Sequence, residues 1–294
     1  MKCYLCPRMC GVDRKNGELG FCSMPDEIYA ARATLHMWEE PCISGDEGSG
    51  TVFFSGCNLK CVYCQNYSIS RGESGKRITV ERLSEIFLEL QEKGANNINL
   101  VTGVHYADKI VKALDITKTK GLKIPVVYNS SGYENVDTLK MLEGYVDIYL
   151  PDFKYITSEK GEKYSKTKDY HKVTKKAIEE MVRQKPCVTF DERGIAKSGV
   201  IVRHMILPGQ IEESKKIIEY LYKKYGNKIF MSIMNQYTPV ETLELFPEIS
   251  RKVTEKEYDE VVDYAISLGV ENAYVQEGET QTESFIPDFD CEGV

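Results

Sequence analysis

The chain is 294 residues long, 42% hydrophobic and 28% charged, with a formal net charge of -7 at pH 7. That length and apolar content exclude disorder as the default and suffice for one large core, or a core with a small appendage. The acid excess argues against a broad nucleic-acid surface, which depends on clustered Lys and Arg to release counterions. Met1 to Cys6 lack the apolar run of a secretion signal, and no later stretch offers the ~18 uninterrupted apolar residues of a bilayer span. A cytoplasmic protein with no membrane and no nucleic-acid partner is expected.

Ten cysteines would suggest disulfides in a small secreted domain, but their short, clustered spacings fit metal binding in a reducing compartment better. Cys3, Cys6, Cys10 and Cys22 open the chain as C-x2-C-x3-C-x11-C, with Gly11, Gly17 and Gly20 able to turn the backbone around a metal. Four thiolates suit a closed structural zinc site and an iron-sulfur cluster alike, so this second metal site is read as zinc or iron-sulfur. Cys42, Cys187 and Cys291 lack close partners and read as buried or incidental thiols.

Residues 50–56 read as a buried strand, and directly after it come Cys57, Cys61 and Cys64, spaced C-x3-C-x2-C. Three thiolates can hold three irons of a cubane cluster and leave the fourth without a protein ligand. A structural zinc knuckle is the competing reading. A loop at the carboxyl end of an interior strand is where barrel-like α/β folds build active sites.

From there, apolar strand-like runs alternate with amphipathic helical stretches in six units, which predicts parallel strands joined by helical crossovers. Leu83, Ile86, Phe87 and Leu90 recur at helical spacing before Gly94. Strands are expected at 97–102, 124–129, 146–150, 200–207 and 229–234, and helices at 107–120, 136–142, 170–184, 211–225 and 255–268. Residues 186–195 read as an extra turn or hairpin, and 273–276 as one more strand. The chain thus divides into a cysteine-rich extension (1–49), a barrel (50–277) and a C-terminal covering segment (278–294).

Polar residues gather where the expected strands end. Thr102, Gly103 and His105 follow the second, Asn129 and Ser131 the third, Asp152 and Lys154 the fourth. Arg203 lies within an otherwise apolar strand and needs a partner, because burying an unpaired charge is costly. If strand alternation holds, the adjacent His204 points to the opposite face.

The cysteine loop, with the aromatic Tyr63 before Cys64 and a strand ending in Gly56 before it, resembles that of the radical SAM superfamily. Further strings narrow the resemblance to the PflX-like branch, which resembles pyruvate formate-lyase activating enzyme. They are Cys3 to Pro7, Glu39-Glu40-Pro41 with Ser44-Gly45, Cys64-Gln65-Asn66-Tyr67, Tyr149 to Lys154, Gln236-Tyr237-Thr238-Pro239 and Phe285 to Phe289. The resemblance implies a partial (β/α)6 barrel, an α/β fold open on one side. It also implies a [4Fe-4S] cluster on Cys57, Cys61 and Cys64 that binds S-adenosyl-L-methionine and cleaves it reductively to a 5'-deoxyadenosyl radical for hydrogen abstraction.

Carried onto this chain, the family pattern gives Thr102 and Gly103 a backbone role toward the cofactor and His105 a side-chain contact. By their place at a strand end Asn129 and Ser131 can bond its ribose or methionine part, with helix or turn capping as the competing role; Arg203 can meet its carboxylate or a structural acidic partner; and Tyr63 lies beside the cluster. Asp152 and Lys154 resemble the Asp-x-Lys element of glycyl-radical activating enzymes and are the candidate catalytic pair. Tyr237 stands where the activase pattern favours His, a departure from that pattern. The implied partners are a one-electron donor such as flavodoxin or ferredoxin and a protein or peptide substrate, with activation of a glycyl-radical enzyme as one form. A radical tailoring or methyl-transferring enzyme is the alternative, and an iron-sulfur electron-transfer module a third.

Overall fold

The computed structural model describes residues 2–240, 243–276 and 287–294. Its strands are β1 (Ile28–His36), β2 (Ser49–Phe54), β3 (Lys76–Ile78), β4 (Ile98–Val101), β5 (Val126–Ser130), β6 (Ile148–Pro151), β7 (Thr189–Phe190), β8 (Ala196–Met205), β9 (Phe230–Met234) and β10 (Ala273–Val275). They form one sheet in the order β10-β9-β8-β6-β5-β4-β2-β1-β3, with β7 paired to β8. From β2 to β10 the neighbours on this path run parallel, whereas β1 is antiparallel to both β2 and β3. The path has two free ends, so this is the open, partial barrel that the sequence predicts.

Every residue of β2, β4, β5 and β6 is buried. Strands in that position face helices outside and the barrel interior inside, which is why they read as continuous apolar runs. Helices follow at Val80–Glu92, Ala107–Thr119, Val136–Met141, Tyr170–Gln184, Ile211–Tyr225 and Glu255–Leu268. Thr79 caps the first by accepting from the Arg82 amide, and Thr254 with Glu257 forms a reciprocal capping box on the last. Leu83, Ile86, Phe87 and Leu90 put the buried stripe of the first helix against the sheet, each side chain contributing about 1.5–3 kcal/mol by leaving water.

The expected strands and helices appear where the sequence placed them, including the hairpin at β7 and the tail strand β10. Several elements were not anticipated, among them the strands β1 and β3 and the helices Tyr67–Arg71 and Ser158–Ser165. β1, which precedes residue 50, and β3, which follows the cysteine loop, continue the sheet beyond β2, so residues 28–36 pack as part of the barrel wall. Beyond β3, the far edge of β1 is bonded by the chain end, with Cys291 N–H donating to Ala31 O (2.9 Å) and Ala33 N–H to Glu292 O (2.8 Å). Of the expected covering segment, Cys291 and Glu292 thus bond the edge of β1, while 278–286 are outside the described residues. No helix among the described residues is long and apolar enough to cross a membrane.

The cysteine-rich start of the chain is fastened by two arginines. Arg8 donates from Nε to Asn58 O (2.8 Å), from Nη1 to Lys166 O (2.8 Å) and from Nη2 to Ser165 O (3.0 Å) and Thr167 Oγ1 (2.7 Å). Its guanidinium also lies 3.7 Å from the Phe21 ring centroid. Arg14, buried, donates to His105 O (2.5 Å) and to the carbonyls of Met24 and Pro25.

Candidate functional site

Gly56 delivers the chain from β2 into the cysteine loop. Its φ of +88° favours glycine, and a Cβ there would lie 2.2 Å from Met24 Cγ, so no larger residue fits without a shift. Inside the loop Lys60 takes a positive φ of 53°, and the Cys64 amide donates to Cys61 O (3.2 Å). The sulfurs accept as well: Leu59 N–H donates to Cys57 Sγ (3.4 Å) and Ser165 Oγ–H to Cys61 Sγ (3.0 Å). Burial pushes the Cys57 thiol up, and with its neighbouring thiols it pushes Cys64 up to about 12. A metal cation reverses that preference, since a coordinating thiol is deprotonated outright.

Cys57, Cys61 and Cys64 line a cavity of about 890 Å³ in the barrel interior. Among the described residues no three His, Cys, Asp or Glu side chains are gathered closely enough to hold a single metal ion. A cubane does not ask for that, because each thiolate binds its own iron and the sulfurs surround the cluster rather than converge on one point. Three soft donors on one cavity wall, with hydrogen bonds to two of the sulfurs, fit such a cluster. Cys3, Cys6, Cys10 and Cys22 do not line this cavity. Cys6 feels Cys22 and Cys10 electrostatically and Cys22 feels Cys3 and Cys10, so the four share a neighbourhood outside the cavity lining.

The same cavity is lined by Tyr63, Thr102, Asn129 and Ser131, and by Asp152, Lys154 and Arg203. Tyr63 O–H is tied to Tyr155 O–H (2.7 Å), which meets Ser165 Oγ (2.8 Å), the same hydroxyl that donates to Cys61. Thr102 follows β4 with φ +59°, an outlier for a β-branched residue that costs on the order of 1–3 kcal/mol. Gly132, with φ +75°, lies so near β6 that a Cβ would meet Asp152 O at 2.1 Å; this brings Ser131 beside Asp152.

Arg203 is the hub of the interior. It donates from Nε to Asp152 Oδ1 (2.9 Å), from Nη1 to Glu39 Oε2 (3.1 Å) and from Nη2 to Asn129 Oδ1 (2.6 Å). Asp152 Oδ2 accepts from Lys154 Nζ (2.5 Å), and Glu39 Oε1 accepts from Asn99 (3.1 Å) and Asn129 (3.2 Å). Burial alone would raise the Asp152 carboxyl, but Arg203 and Lys154 beside it hold it below its ordinary value. Burial works against the Lys154 ammonium, yet Asp152, then Tyr63 and Cys61, keep its pKa well above the usual lysine range. The partner that Arg203 required is thus acidic and double. His204 faces the other way, its ring bonded to Phe153 O and Ser214 Oγ (both 2.8 Å).

Two of the expected cofactor contacts, His105 and Gly103, do not line the cavity. His105 is buried with its Nε2 on Ser55 O (2.7 Å), and burial depresses its pKa to about 3, so a neutral ring faces the wall and not the cavity. Residues Val104–Tyr106 form a 3-10 turn that rotates it there. Gly103 is also outside the lining: its carbonyl accepts the Tyr106 amide (2.9 Å), and a Cβ would meet Ile110 Cδ1 at 2.6 Å, so it serves packing. Glu39 and Glu40, which line the cavity, were given no role from sequence. The signal for them was the unpaired Arg203, which demanded carboxylates, together with two adjacent acids before Pro41.

Comparison with known proteins agrees with this geometry. The pattern described as the Radical SAM superfamily matches residues 51–221. An uncharacterized protein of Methanocaldococcus jannaschii, MJ0674, is 31% identical over 283 residues, covering 92% of this chain and 76% of that protein. The pyruvate formate-lyase-activating enzyme of Clostridium pasteurianum is 25% identical over 205 residues, covering 67% of this chain and 73% of that enzyme. Among solved structures, Streptococcus suis SuiB bound to precursor peptide SuiA matches with a TM-score of 0.50 at 12% identity, covering 76% of this chain and 47% of that one. That likeness concerns the fold, and this chain spans about half the length of the solved proteins it resembles. With the matched span containing the cysteine loop and most of the parallel barrel, the chain belongs to the radical SAM superfamily.

Proposed function

We propose that this protein is a radical enzyme acting on a protein or peptide substrate, with a glycyl-radical enzyme as the first candidate. The observation that carries the reading is one cavity lined both by Cys57, Cys61 and Cys64 and by the linked charges of Lys154, Asp152 and Arg203. The family implies a [4Fe-4S] cluster with S-adenosylmethionine, which together supply a 5'-deoxyadenosyl radical for hydrogen abstraction once a one-electron donor of flavodoxin or ferredoxin type has delivered its electron. The similarity to a pyruvate formate-lyase-activating enzyme supports the choice of substrate class.

In this reading the three loop cysteines hold the cluster, and the work of the other residues is orientation and exclusion of water. Thr102, Asn129 and Ser131 offer backbone and side-chain groups at the carboxyl ends of β4 and β5, where parallel barrels bind ligands. Arg203 holds Asp152 and Asn129 in place, and Lys154 brings a positive charge next to the cysteine loop, suited to a carboxylate. Tyr63, buried under the loop among Tyr155, Tyr164 and Tyr237, keeps that wall rigid and dry.

The test is anaerobic incubation of reduced protein and S-adenosylmethionine with a glycyl-radical enzyme of the same organism. A glycine-centred radical detected by electron paramagnetic resonance, formed in step with 5'-deoxyadenosine, is expected. Turnover of a small molecule with no change in any protein partner would overturn the reading.

A further inference from the structure

The floor of the cavity carries a carboxyl group that feels Arg203 electrostatically but receives none of its hydrogen bonds. Arg203 spends all three nitrogens on Asp152, Glu39 and Asn129. Glu40 lines the same cavity, is 7% exposed, and its Oε2 has no hydrogen-bond partner. A buried acceptor without a partner is costly, and natural sites that keep one leave it for a ligand or a bound water. Three carboxyl groups, those of Glu39, Glu40 and Asp152, share the cavity with two cations, Arg203 and Lys154; burial raises the carboxyls of Glu39 and Glu40, and a further cation beside Glu40 would favour its ionised form.

The position of Glu40 is set by β1. The last residue of that strand, His36, pairs with Ser49 at the start of β2, whereas the cysteine loop follows the far end of β2. Glu40 therefore approaches the cavity from the end opposite the cysteines. Trp38, Phe53 and Tyr274 line the cavity with it, and the faces of such rings attract cations.

We propose that Glu40 receives a protonated nitrogen of the substrate, an ammonium or guanidinium group, and thereby selects cationic substrates. This deepens the proposed function and rests on its reading of the cavity as the substrate site. A charge-assisted hydrogen bond to Glu40 satisfies the free oxygen, and the aromatic rings cover the alkyl stem that leads to it. Anchored at this end, the substrate would extend toward the cysteine loop, so the distance between cation and reacting carbon becomes a selection rule.

The experiment uses the full chain carrying its cluster, unreduced, so that binding is read without radical chemistry. Trp38 is the single tryptophan of the chain and lines the cavity, which makes its emission the readout. n-Butylamine, n-butylguanidine, n-butanol and butyrate are titrated in turn, with and without saturating S-adenosylmethionine. The expected result is saturable binding of at least one cation, at least tenfold tighter than n-butanol, with butyrate weaker still. Glu40→Gln is expected to erase that tenfold preference, and the tighter of the two cations names the substrate group. Equal binding of amine and alcohol by the wild type overturns the proposal whether or not the variant folds. Displacement of the amine by S-adenosylmethionine also overturns it, because the site would then belong to the cofactor. A failure here leaves formation of 5'-deoxyadenosine intact, whereas a failure of the proposed function leaves cation binding intact.

Discussion

The two cysteine groups of this chain have the same ligand chemistry and opposite settings. Cys57, Cys61 and Cys64 sit on a cavity wall at the carboxyl end of β2, with the interior charges of Lys154, Asp152 and Arg203 in the same space. Cys3, Cys6, Cys10 and Cys22 lie outside that cavity, in a segment held against the back of the loop by Arg8. Thiol spacing alone does not separate a reactive centre from a peripheral one. What separates them is whether the backbone opens the sulfurs to a space that a substrate can share.

The largest effect that could break this comparison is on iron. After anaerobic reconstitution, Cys64→Ala is expected to lose the iron bound at the cavity wall, whereas Cys22→Ala keeps it; equal losses, measured as iron per chain, would erase the distinction. Next is the interior network. Arg203→Met leaves Glu39 and Asp152 without their buried cation, and breaking such a pair by removing one partner costs about 3–5 kcal/mol, readable by urea unfolding. An unchanged urea midpoint would mean that the network is not formed. Arg8→Ala sharpens the comparison at smaller cost. It removes hydrogen bonds to Asn58, Lys166, Ser165 and Thr167, each worth about 0.5–1.5 kcal/mol, and amide exchange across residues 3–22 should rise while β4 to β6 stay protected.

A pH-dependent effect concerns Glu134, which accepts from Tyr128 O–H (3.2 Å) and acts electrostatically on Cys6. Burial raises its carboxyl from 4.5 to about 8. Between those pH values the folded protein keeps a proton that the unfolded chain has lost, so this group lowers stability as pH rises from 4.5 to 8 and no further above that. Glu134→Gln is therefore expected to melt like the wild type near pH 4.5 and a few degrees higher above pH 8. A constant offset across that range would remove Glu134 from the account.

Much of this was legible in the sequence, and for a physical reason. Parallel strands buried on both faces have to be continuous apolar runs, so β2, β4, β5, β6, β8 and β9 announced themselves. β1 did not, because its Ile-Tyr-Ala-Ala-Arg-Ala-Thr-Leu-His run is rich in alanine and broken by Arg32, whose partners Asp288, Asp290 and Glu292 lie at the other end of the chain. That omission hid Glu39 and Glu40, since only the pairing of β1 with β2 carries residue 39 to residue 203. Arg203 declared that it needed an acid without saying which. Spacing puts His105 just past a strand, while the turn that directs its ring toward Ser55 is a matter of local geometry that the sequence does not display.

The most direct test of the central claim is conversion of S-adenosylmethionine to 5'-deoxyadenosine by the anaerobically reconstituted, reduced protein, wild type beside Cys57→Ala. The account predicts conversion by the wild type and background levels from the variant. Equal conversion by both proteins would contradict it.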